Sequence, residues 1–321
     1  MDRVLAAQWH PIARSQDVGD VAPARLLGQD LVLWRGGSSL SAWPDLCLHR
    51  GTRLSLGSVR GGRLVCAYHG WAYEPGGRCV AIPAHPDQPI PPRACTTPYA
   101  CCEKGGLVWV RLSDQGDEEP AGLTAWSDPA YRTLLCGPYP FRASAPRVVE
   151  NFLDVAHFPF VHEGLLGTSE RPEIAPYQVE IGEQGLIVRN LRVFQPDPDG
   201  TGRPAEVTYT YRVERPLTAW LSKDDRFLLY LAVCPVDERE SIAFMVISMN
   251  YAHDLPEDEL RAFQDRIVTQ DRPIVESQRP ELLPLDLAEE LHLRSDQTAI
   301  AYRKWLRSMG VGYGTCSSPT R

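Results

Sequence analysis

The sequence lacks any apolar run long enough to cross a membrane, any cluster of basic residues and any internal repeat. Its first residues, MDRVLAAQWHP, are charged at the second and third positions and contain too short an apolar stretch for a signal peptide. A formal net charge of −8 without a basic patch argues against a nucleic-acid partner. These absences predict a cytoplasmic protein that binds neither membranes nor nucleic acids.

The nine cysteines are an odd number in a long chain without an export signal. Disulfides explain such a set poorly, whereas metal ligands and buried free thiols explain it well. Apolar residues make up 43% of the chain, which is enough for a packed core. Some of the cysteines are therefore candidate metal ligands.

The pattern of predicted strands and helices changes after about the first third of the chain. Up to about residue 113, β-rich runs such as LVLWRGG and LVWVRL alternate with turns, and PGG is predicted to form a hairpin turn. The acidic stretch SDQGDEEPAG then separates this part from longer alternating strands and two helices. The second helix is predicted in SDQTAIAYRKWLRSMG, with Ser295 as its N-cap candidate and Gly310 as its stop signal. We predict an α+β protein with a first domain of residues 1–115 and a second of residues 116–321.

Two short segments, CLHRG and CAYHGW, carry cysteine and histidine at metal-ligand spacing. The candidate ligands are Cys47, His49, Cys66 and His69. Zinc sites usually pair like ligands on one loop, whereas here each loop offers one thiolate and one imidazole. In a Rieske [2Fe-2S] cluster, one iron takes both cysteines and the other takes both histidines, so each loop spans both irons. Gly51 and Gly70 suit tight loops whose backbone approaches sulfur.

These segments resemble the cluster motif of the Rieske non-haem iron oxygenases. The resemblance extends over essentially the whole chain. It implies an all-β Rieske domain followed by a helix-grip catalytic domain, in which long C-terminal helices pack on an antiparallel sheet.

A second group of polar residues lies in NFLDVAHFPFVHEG. Asn151, Asp154 and His157 are spaced by three, which would place them on one face of a helix. Pro159 is tolerated only near a helix start or a kink, so a bend there would return His162 toward His157. Two neutral imidazoles suit iron, zinc or copper, but they do not complete a site.

The third ligand comes from a helix much later in the sequence, EDELRAFQDRIVTQDRPIVES. Its apolar residues define one face at helical period, and Asp271 falls in the middle of that face. A buried carboxylate is costly unless it is paired or bound to a metal. His157, His162 and Asp271 then form a two-histidine, one-carboxylate set suited to mononuclear Fe(II).

The family resemblance assigns further roles to the same residues. The family motif Asn-x-x-Asp-x-x-His-x4-His matches residues 151–162, and Asp271 matches the distal carboxylate. The resemblance implies that Asp154 bridges His157 of its own chain and His69 of a neighbouring chain, within a homotrimer. It also implies that electrons come from a separate NAD(P)H-dependent reductase or a ferredoxin. GVGYG near the C-terminus does not supply a nucleotide site, because it is not in a strand–turn–helix unit.

Four functions remain open from the sequence. The first expectation is a Rieske monooxygenase that uses O2 to hydroxylate a C–H bond of a small molecule. The segments VVENFLDVAHFPFVHEGLLG and ELHLRSDQTAIAYRKWLRSMGVGYGTC resemble the short oxygenases of the p-toluenesulfonate and saxitoxin pathways. This resemblance implies a saxitoxin-like intermediate as substrate. The alternative within the same chemistry is an O- or N-demethylase, which would release formaldehyde. A Rieske electron carrier and a zinc-stabilised binding module are the remaining readings.

Overall fold

A computed structural model describes residues 2–182, 185–198 and 202–316 of the chain. The chain forms two compact units, one of Ala6–Ala121 and one of Asp2–Leu5 together with the chain from Gly122 onward. The division lies inside the acidic segment SDQGDEEPAG, whereas the sequence placed it after residue 115. No helix of the described ranges is both long and apolar enough to span a bilayer.

The first unit is built almost entirely of short antiparallel strands. A short helix, α1 (Arg3–Ala6), precedes them. The strands are β1 (His10–Arg14), β2 (Val21–Leu26), β3 (Gln29–Gly36), β4 (Ser39–Pro44), β5 (Ser58–Arg60), β6 (Arg63–Val65), β7 (Ala72–Tyr73), β8 (Cys79–Ala81), β9 (Ala100–Lys104) and β10 (Leu107–Arg111). They pair in three sheets with the orders β1-β10-β9, β2-β3-β4 and β5-β6-β7-β8.

Large aromatic side chains fill the core of this unit. Trp34 and Trp43 are fully buried and meet edge to face, with ring centroids 4.9 Å apart. The same core includes Tyr73 and the sulfur-bearing side chains of Cys47 and Cys66. The predicted PGG turn is confirmed, since it closes the antiparallel β7–β8 hairpin. The core therefore holds the two cysteines on a rigid base.

The second unit combines one large sheet with helices. Its strands and helices are β11 (Arg132–Phe141), α2 (Ala145–Leu153), α3 (Phe158–Val161), β12 (Gln178–Gly182), β13 (Gly185–Gln195), β14 (Ala205–Arg215), β15 (Thr218–Lys223), β16 (Phe227–Asp237), β17 (Glu240–Met249), α4 (Glu257–Ser277), β18 (Leu283–Pro284), α5 (Gln297–Met309) and β19 (Thr315–Cys316). The sheet order is β11-β17-β16-β15-β14-β13-β12, with antiparallel pairing throughout.

This architecture confirms the predicted α+β class. Strand β14 shows why the sheet forms, because its inward positions alternate with outward polar residues. Val207, Tyr209, Tyr211 and Val213 are all buried along one face. Helix α4 packs against β11, and α2 packs against β16, β17 and α4. The site described below lies between this sheet face and these helices.

Helix α4 departs from its expected pattern at two positions. Val268, Val275 and Asp271 are buried as predicted, but Phe263 and Ile274 are 46% and 47% exposed. The prediction that the whole apolar stripe faces a core is therefore wrong. Phe263 lines the cavity described below and is therefore not packed in a core.

The last long helix ends where the sequence predicts and begins slightly later. Gly310 follows α5 with a positive φ of 78°, and its N–H bonds back to the carbonyls of Leu306 and Arg307, as a glycine stop does. Asp296, not Ser295, occupies the N-cap position, because Arg294–Asp296 first forms a separate turn of 3-10 helix. The predicted Ser295 cap is therefore wrong by one residue.

A buried ionic network ties α2 to α5. Glu150 accepts hydrogen bonds from Arg303 at 2.6 and 2.8 Å, and Arg147 lies 3.4 Å from the same carboxylate. Glu290 contacts both guanidinium groups, and both arginines are only 2% exposed. Since α2 ends immediately before the DVAHFPFVH segment, this network fixes the start of the segment that carries the two histidines.

We predict that Glu150→Ala lowers the free energy of unfolding by roughly 3–5 kcal/mol, because the buried guanidinium group of Arg303 loses its two-bonded carboxylate and that of Arg147 loses the second of its two carboxylates. Urea denaturation of the purified protein measures the loss. The control is Arg142→Ala, which removes a pair with Glu276 whose arginine side chain is 85% exposed. That change should cost less than about 1 kcal/mol. Equal effects of the two substitutions would contradict the role given to the network.

Candidate metal centres

The two loops that carry Cys47 and Cys66 have the same backbone geometry. In each, the cysteine carbonyl accepts a bond from the glycine four residues on, Gly51 at 2.9 Å and Gly70 at 3.0 Å. In each, the cysteine N–H donates to the carbonyl five residues on. Both glycines adopt φ of +71°, a conformation that other residues rarely take. The sequence predicted these glycines as loop residues, and the geometry shows why they are needed.

The loops present buried sulfur and surface imidazole. Cys47 and Cys66 are 2% exposed, whereas His69 lies at the surface and His49 is half-buried. The two Nδ1 atoms of His49 and His69 face each other at 3.1 Å. Trp71 stacks on His49 with an interplanar angle of 5°. Two thiols on one side and two Nδ1 atoms on the other fit the ligand division of a Rieske cluster.

Tyr73 adds a hydrogen bond that the sequence did not reveal. Its hydroxyl lies 3.3 Å from the sulfur of Cys47. Burial raises the pKa of Tyr73, so the phenol stays protonated and can donate to the sulfur of Cys47. Burial likewise raises the pKa of Cys66, so cluster assembly must release its proton. A donor to a ligand sulfur is one of the means by which a protein sets a cluster's reduction potential.

The second group of candidate ligands lies where a helix breaks. Helix α2 ends at Leu153, Asp154 is extended with φ −89° and ψ 132°, and His157 precedes the short helix α3. The prediction that Asn151, Asp154 and His157 share one helical face is therefore wrong. Pro159 lies in the first turn of α3, where a missing N–H costs nothing, and so it favours a new helix start.

The break and α4 together bring His157, His162 and Asp271 to one point. The Nε2 atoms of His157 and His162 lie 3.3 and 3.0 Å from Asp271 Oδ1 and 3.3 Å from each other. Ligand atoms about 2.1 Å from one metal ion and at right angles to each other are about 3.0 Å apart. The three atoms therefore fit one face of a metal coordination sphere.

The outer nitrogens of both histidines have acceptors. His157 Nδ1 lies 3.1 Å from Asp154 Oδ2, and His162 Nδ1 lies 2.9 Å from Gln270 Oε1. Donation from Nδ1 leaves each Nε2 with a lone pair for a metal. Gln270 was missed from the sequence. The only signal was its position beside Asp271, since one polar residue on a helix does not reveal what it faces.

Asn151 makes a weaker contact with the candidate iron ligands than the motif suggests. Its Nδ2 lies 3.5 Å from Asp271 Oδ1, at the limit of a hydrogen bond. It also lines the cavity beside the histidines. Asp154 is better placed, since its second oxygen accepts the N–H of Ala156 at 2.8 Å and its side chain is 38% exposed. Asp154 can therefore bond His157 and still be reached from outside.

Burial and hydrogen bonding act in opposite directions on the pKa values of this group. Burial lowers the pKa of His157, but hydrogen bonds to Asp154 and Asp271 outweigh this and raise the pKa to about 9. Burial alone would raise the pKa of Asp271, yet its bonds to the two histidines lower it. A buried carboxylate thus holds a proton on a neighbouring imidazole, and a bound cation would replace that proton.

A cavity of about 440 Å³ opens onto the three side chains. Its walls come from the inner face of the sheet, from α2 and from α4, and they are mainly apolar. Aromatic side chains contribute much of the surface: Phe141, Phe152, Phe158, Phe227 and Phe263. A volume of this size suits a small organic molecule next to the metal ligands.

We predict that Fe(II) binds the iron-depleted second site more tightly as pH rises from 6 to 9. Because the pKa of His157 is about 9 without metal, each bound ion displaces one proton in this range. The apparent affinity should increase roughly tenfold per pH unit and level off above pH 9. Anaerobic titration against a competing chelator measures it. An affinity independent of pH would contradict the assignment of His157 as a ligand that is protonated in the absence of metal.

Comparisons with known proteins match both parts of the chain to known families. Residues 8–92 match the Rieske [2Fe-2S] domain, and residues 141–311 match the vanillate O-demethylase oxygenase C-terminal domain. The methylxanthine N1-demethylase NdmA of Pseudomonas putida is 33% identical, with 94% of this chain and 88% of that protein covered. The N3-demethylase NdmB of the same organism is 31% identical, with 94% and 89% covered.

A solved structure matches over the same length. The structure of Pseudomonas putida CBB5 NdmA with caffeine superposes with a TM-score of 0.80 at 31% identity, covering 95% of this chain and 90% of that one. The fold, both family matches and the full-length relatives agree with one another. The chain belongs to the Rieske non-haem iron oxygenases, oxidoreductases whose cofactors are a [2Fe-2S] cluster and a mononuclear iron.

Proposed function

We propose that this oxygenase is an N-demethylase of small N-methylated heterocycles of the methylxanthine type. The 33% identity to methylxanthine N1-demethylase over 94% of the chain carries the proposal. These relatives favour the demethylase alternative over simple hydroxylation. The expectation of a saxitoxin-like intermediate is unsupported by them.

The cavity supports a flat, uncharged heterocycle. Its aromatic walls offer faces on which a planar ring can stack, and its polar side chains include the amides of Asn151, Gln195 and Gln264. Amides and hydroxyls suit ring carbonyls and nitrogens better than a formal charge. The same cavity includes the proposed ligands His157, His162 and Asp271, so a methyl group bound there would lie beside the iron.

The overall reaction balances without further reagents. The N-methyl compound, O2, two electrons and two protons give an N-hydroxymethyl compound and water. The carbon–nitrogen bond of that product then breaks, releasing formaldehyde and the N–H heterocycle. When bound, the mononuclear iron supplies oxygen activation, and the cluster supplies electrons.

The residues of this chain hold and orient these groups. Cys47, Cys66, His49 and His69 are the proposed cluster ligands, and His157, His162 and Asp271 are the proposed iron ligands. Asp154 keeps the outer nitrogen of His157 in the protonated tautomer. The apolar cavity walls exclude water from the reacting methyl group.

As a Rieske oxygenase, the protein depends on a reductase for its electrons. We propose a separate NAD(P)H-dependent reductase or a ferredoxin, acting in the cytoplasm. We also propose a homotrimer in which Asp154 of one chain meets His69 of the next. Exposed apolar residues on the two cluster loops and near them support such an interface: Leu46, Leu48, Leu56 and Tyr68.

Formaldehyde release from methylxanthines tests the proposed function. The holoenzyme, supplied with a reductase and NAD(P)H, should form one formaldehyde for each molecule demethylated. The matched control is Asp154→Asn, which has nearly the same shape and should keep both iron centres but turn over about 10- to 100-fold more slowly. Hydroxylated products without formaldehyde would exclude demethylation. Full activity of the control variant would remove the role given to Asp154.

A further inference from the structure

One wall of the cavity carries a connected set of polar side chains that the proposed chemistry does not use. Gln195 ends strand β13 and is fully buried. Tyr209 on β14 and Lys223 on β15 lie opposite each other in the sheet register. All three line the cavity. Buried polar groups on an apolar wall are costly unless they are paired, so each of these three side chains needs a hydrogen-bond partner.

The donors and acceptors of this set have one consistent arrangement. Gln195 Nε2 donates to the carbonyl of Leu166 at 3.4 Å and to the hydroxyl oxygen of Tyr209 at 2.9 Å. Gln195 Oε1 accepts from Lys223 Nζ at 3.3 Å, and the same ammonium group donates to the carbonyl of Pro198. A carbonyl can only accept and an ammonium can only donate, so the orientation of the amide is fixed.

This arrangement determines the direction of the Tyr209 hydroxyl. Its oxygen is already an acceptor for Gln195, so its own hydrogen must go elsewhere. Within the described ranges, Gln195 is its one hydrogen-bond partner. Burial raises the pKa of Tyr209, so the phenol keeps its hydrogen at neutral pH. Tyr209 lines the cavity, and a molecule bound there can provide the missing acceptor.

The positive charge of Lys223 strengthens that donor. An ammonium group bonded to the amide oxygen polarises the amide, and the amide N–H in turn polarises the phenol. The chain of bonds therefore ends in a donor suited to a carbonyl oxygen. A cationic substrate group would be disfavoured at the same place.

We propose that Tyr209 donates a hydrogen bond to a ring carbonyl oxygen of the substrate, and that Gln195 and Lys223 are its positioning residues. The proposal rests on the proposed function, since it assigns a carbonyl-bearing heterocycle to the same cavity. A carbonyl held at this point fixes how the ring is turned. Tyr209 then helps to determine which N-methyl group faces the iron ligands.

Two ligands test this assignment, of which one has ring carbonyls with two ring N–H groups and the other has unprotonated nitrogens in place of those N–H groups. 7-Methylxanthine and 7-methylpurine share a ring system and a methyl group, but only the first has ring carbonyls. We compare their dissociation constants for the anaerobic holoprotein by calorimetry. Wild type should prefer 7-methylxanthine. Tyr209→Phe should weaken 7-methylxanthine about 3- to 10-fold and leave 7-methylpurine nearly unchanged.

Two further variants separate a direct contact from a structural effect. Lys223→Met should reduce the preference for 7-methylxanthine by less than Tyr209→Phe does, because it acts through Gln195. Tyr302→Phe is the matched control, since its hydroxyl is buried and donates to the carbonyl of Pro216 outside the cavity. It should leave the ratio of the two dissociation constants unchanged.

The outcomes distinguish this inference from the proposed function. Tyr209→Phe weakening both ligands alike, or neither, would overturn the inference, as would a wild type without preference for 7-methylxanthine. Formaldehyde release with an unaffected ligand ratio would leave N-demethylation standing and remove Tyr209. A ratio that falls in Tyr209→Phe, with hydroxylated products and no formaldehyde, would support Tyr209 as the carbonyl donor and overturn demethylation.

Discussion

The catalytic unit depends on one electrostatic constraint, the burial of the Asp271 carboxylate against two imidazoles. Only 9% of Asp271 remains exposed, and its Oδ1 lies within 3.3 Å of both histidine Nε2 atoms. A carboxylate in such a place needs a positive charge, which a proton on His157 or a metal ion can provide. The surrounding fold serves to hold these three side chains at that distance despite the cost of burying them.

The candidate ligands of the two units differ in their exposure to solvent. In the first, buried sulfur sits on an aromatic core while His69 reaches the surface, which leaves the histidine end open to another protein. In the second, His162 is 1% exposed and the proposed iron ligands line a mainly apolar cavity. Electrons can thus enter at a surface, and the reacting substrate can stay away from water.

The sequence predicted features that depend on residues close together along the chain. It missed several features that depend on contacts between separate segments. Two short loops carry the candidate cluster ligands, Cys47, His49, Cys66 and His69. The glycines of these loops can be recognised in the sequence. Asp271 could be found because a charged residue interrupts an apolar stripe. These predictions need no knowledge of how the chain is packed.

Other features arise only when strands and helices meet. The helix break after Leu153 was missed because three-residue spacing fits a continuous helix equally well. Gln270 and Tyr209 were missed because their partners lie 108 and 14 residues away along the chain. Strand alternation shows which residues share a face, but sheet register and helix packing decide which of them line a cavity.

The central claim is that His157, His162 and Asp271 bind a mononuclear iron in addition to the cluster. Iron and acid-labile sulfide are best counted per chain in reconstituted wild type and in Asp271→Ala, with Glu259→Ala as a control from the same helix and cavity. The account predicts three irons and two sulfides in wild type and control, and two of each in Asp271→Ala, following the ligand chemistry of the two sites. Three irons in Asp271→Ala, or two in wild type, would contradict it.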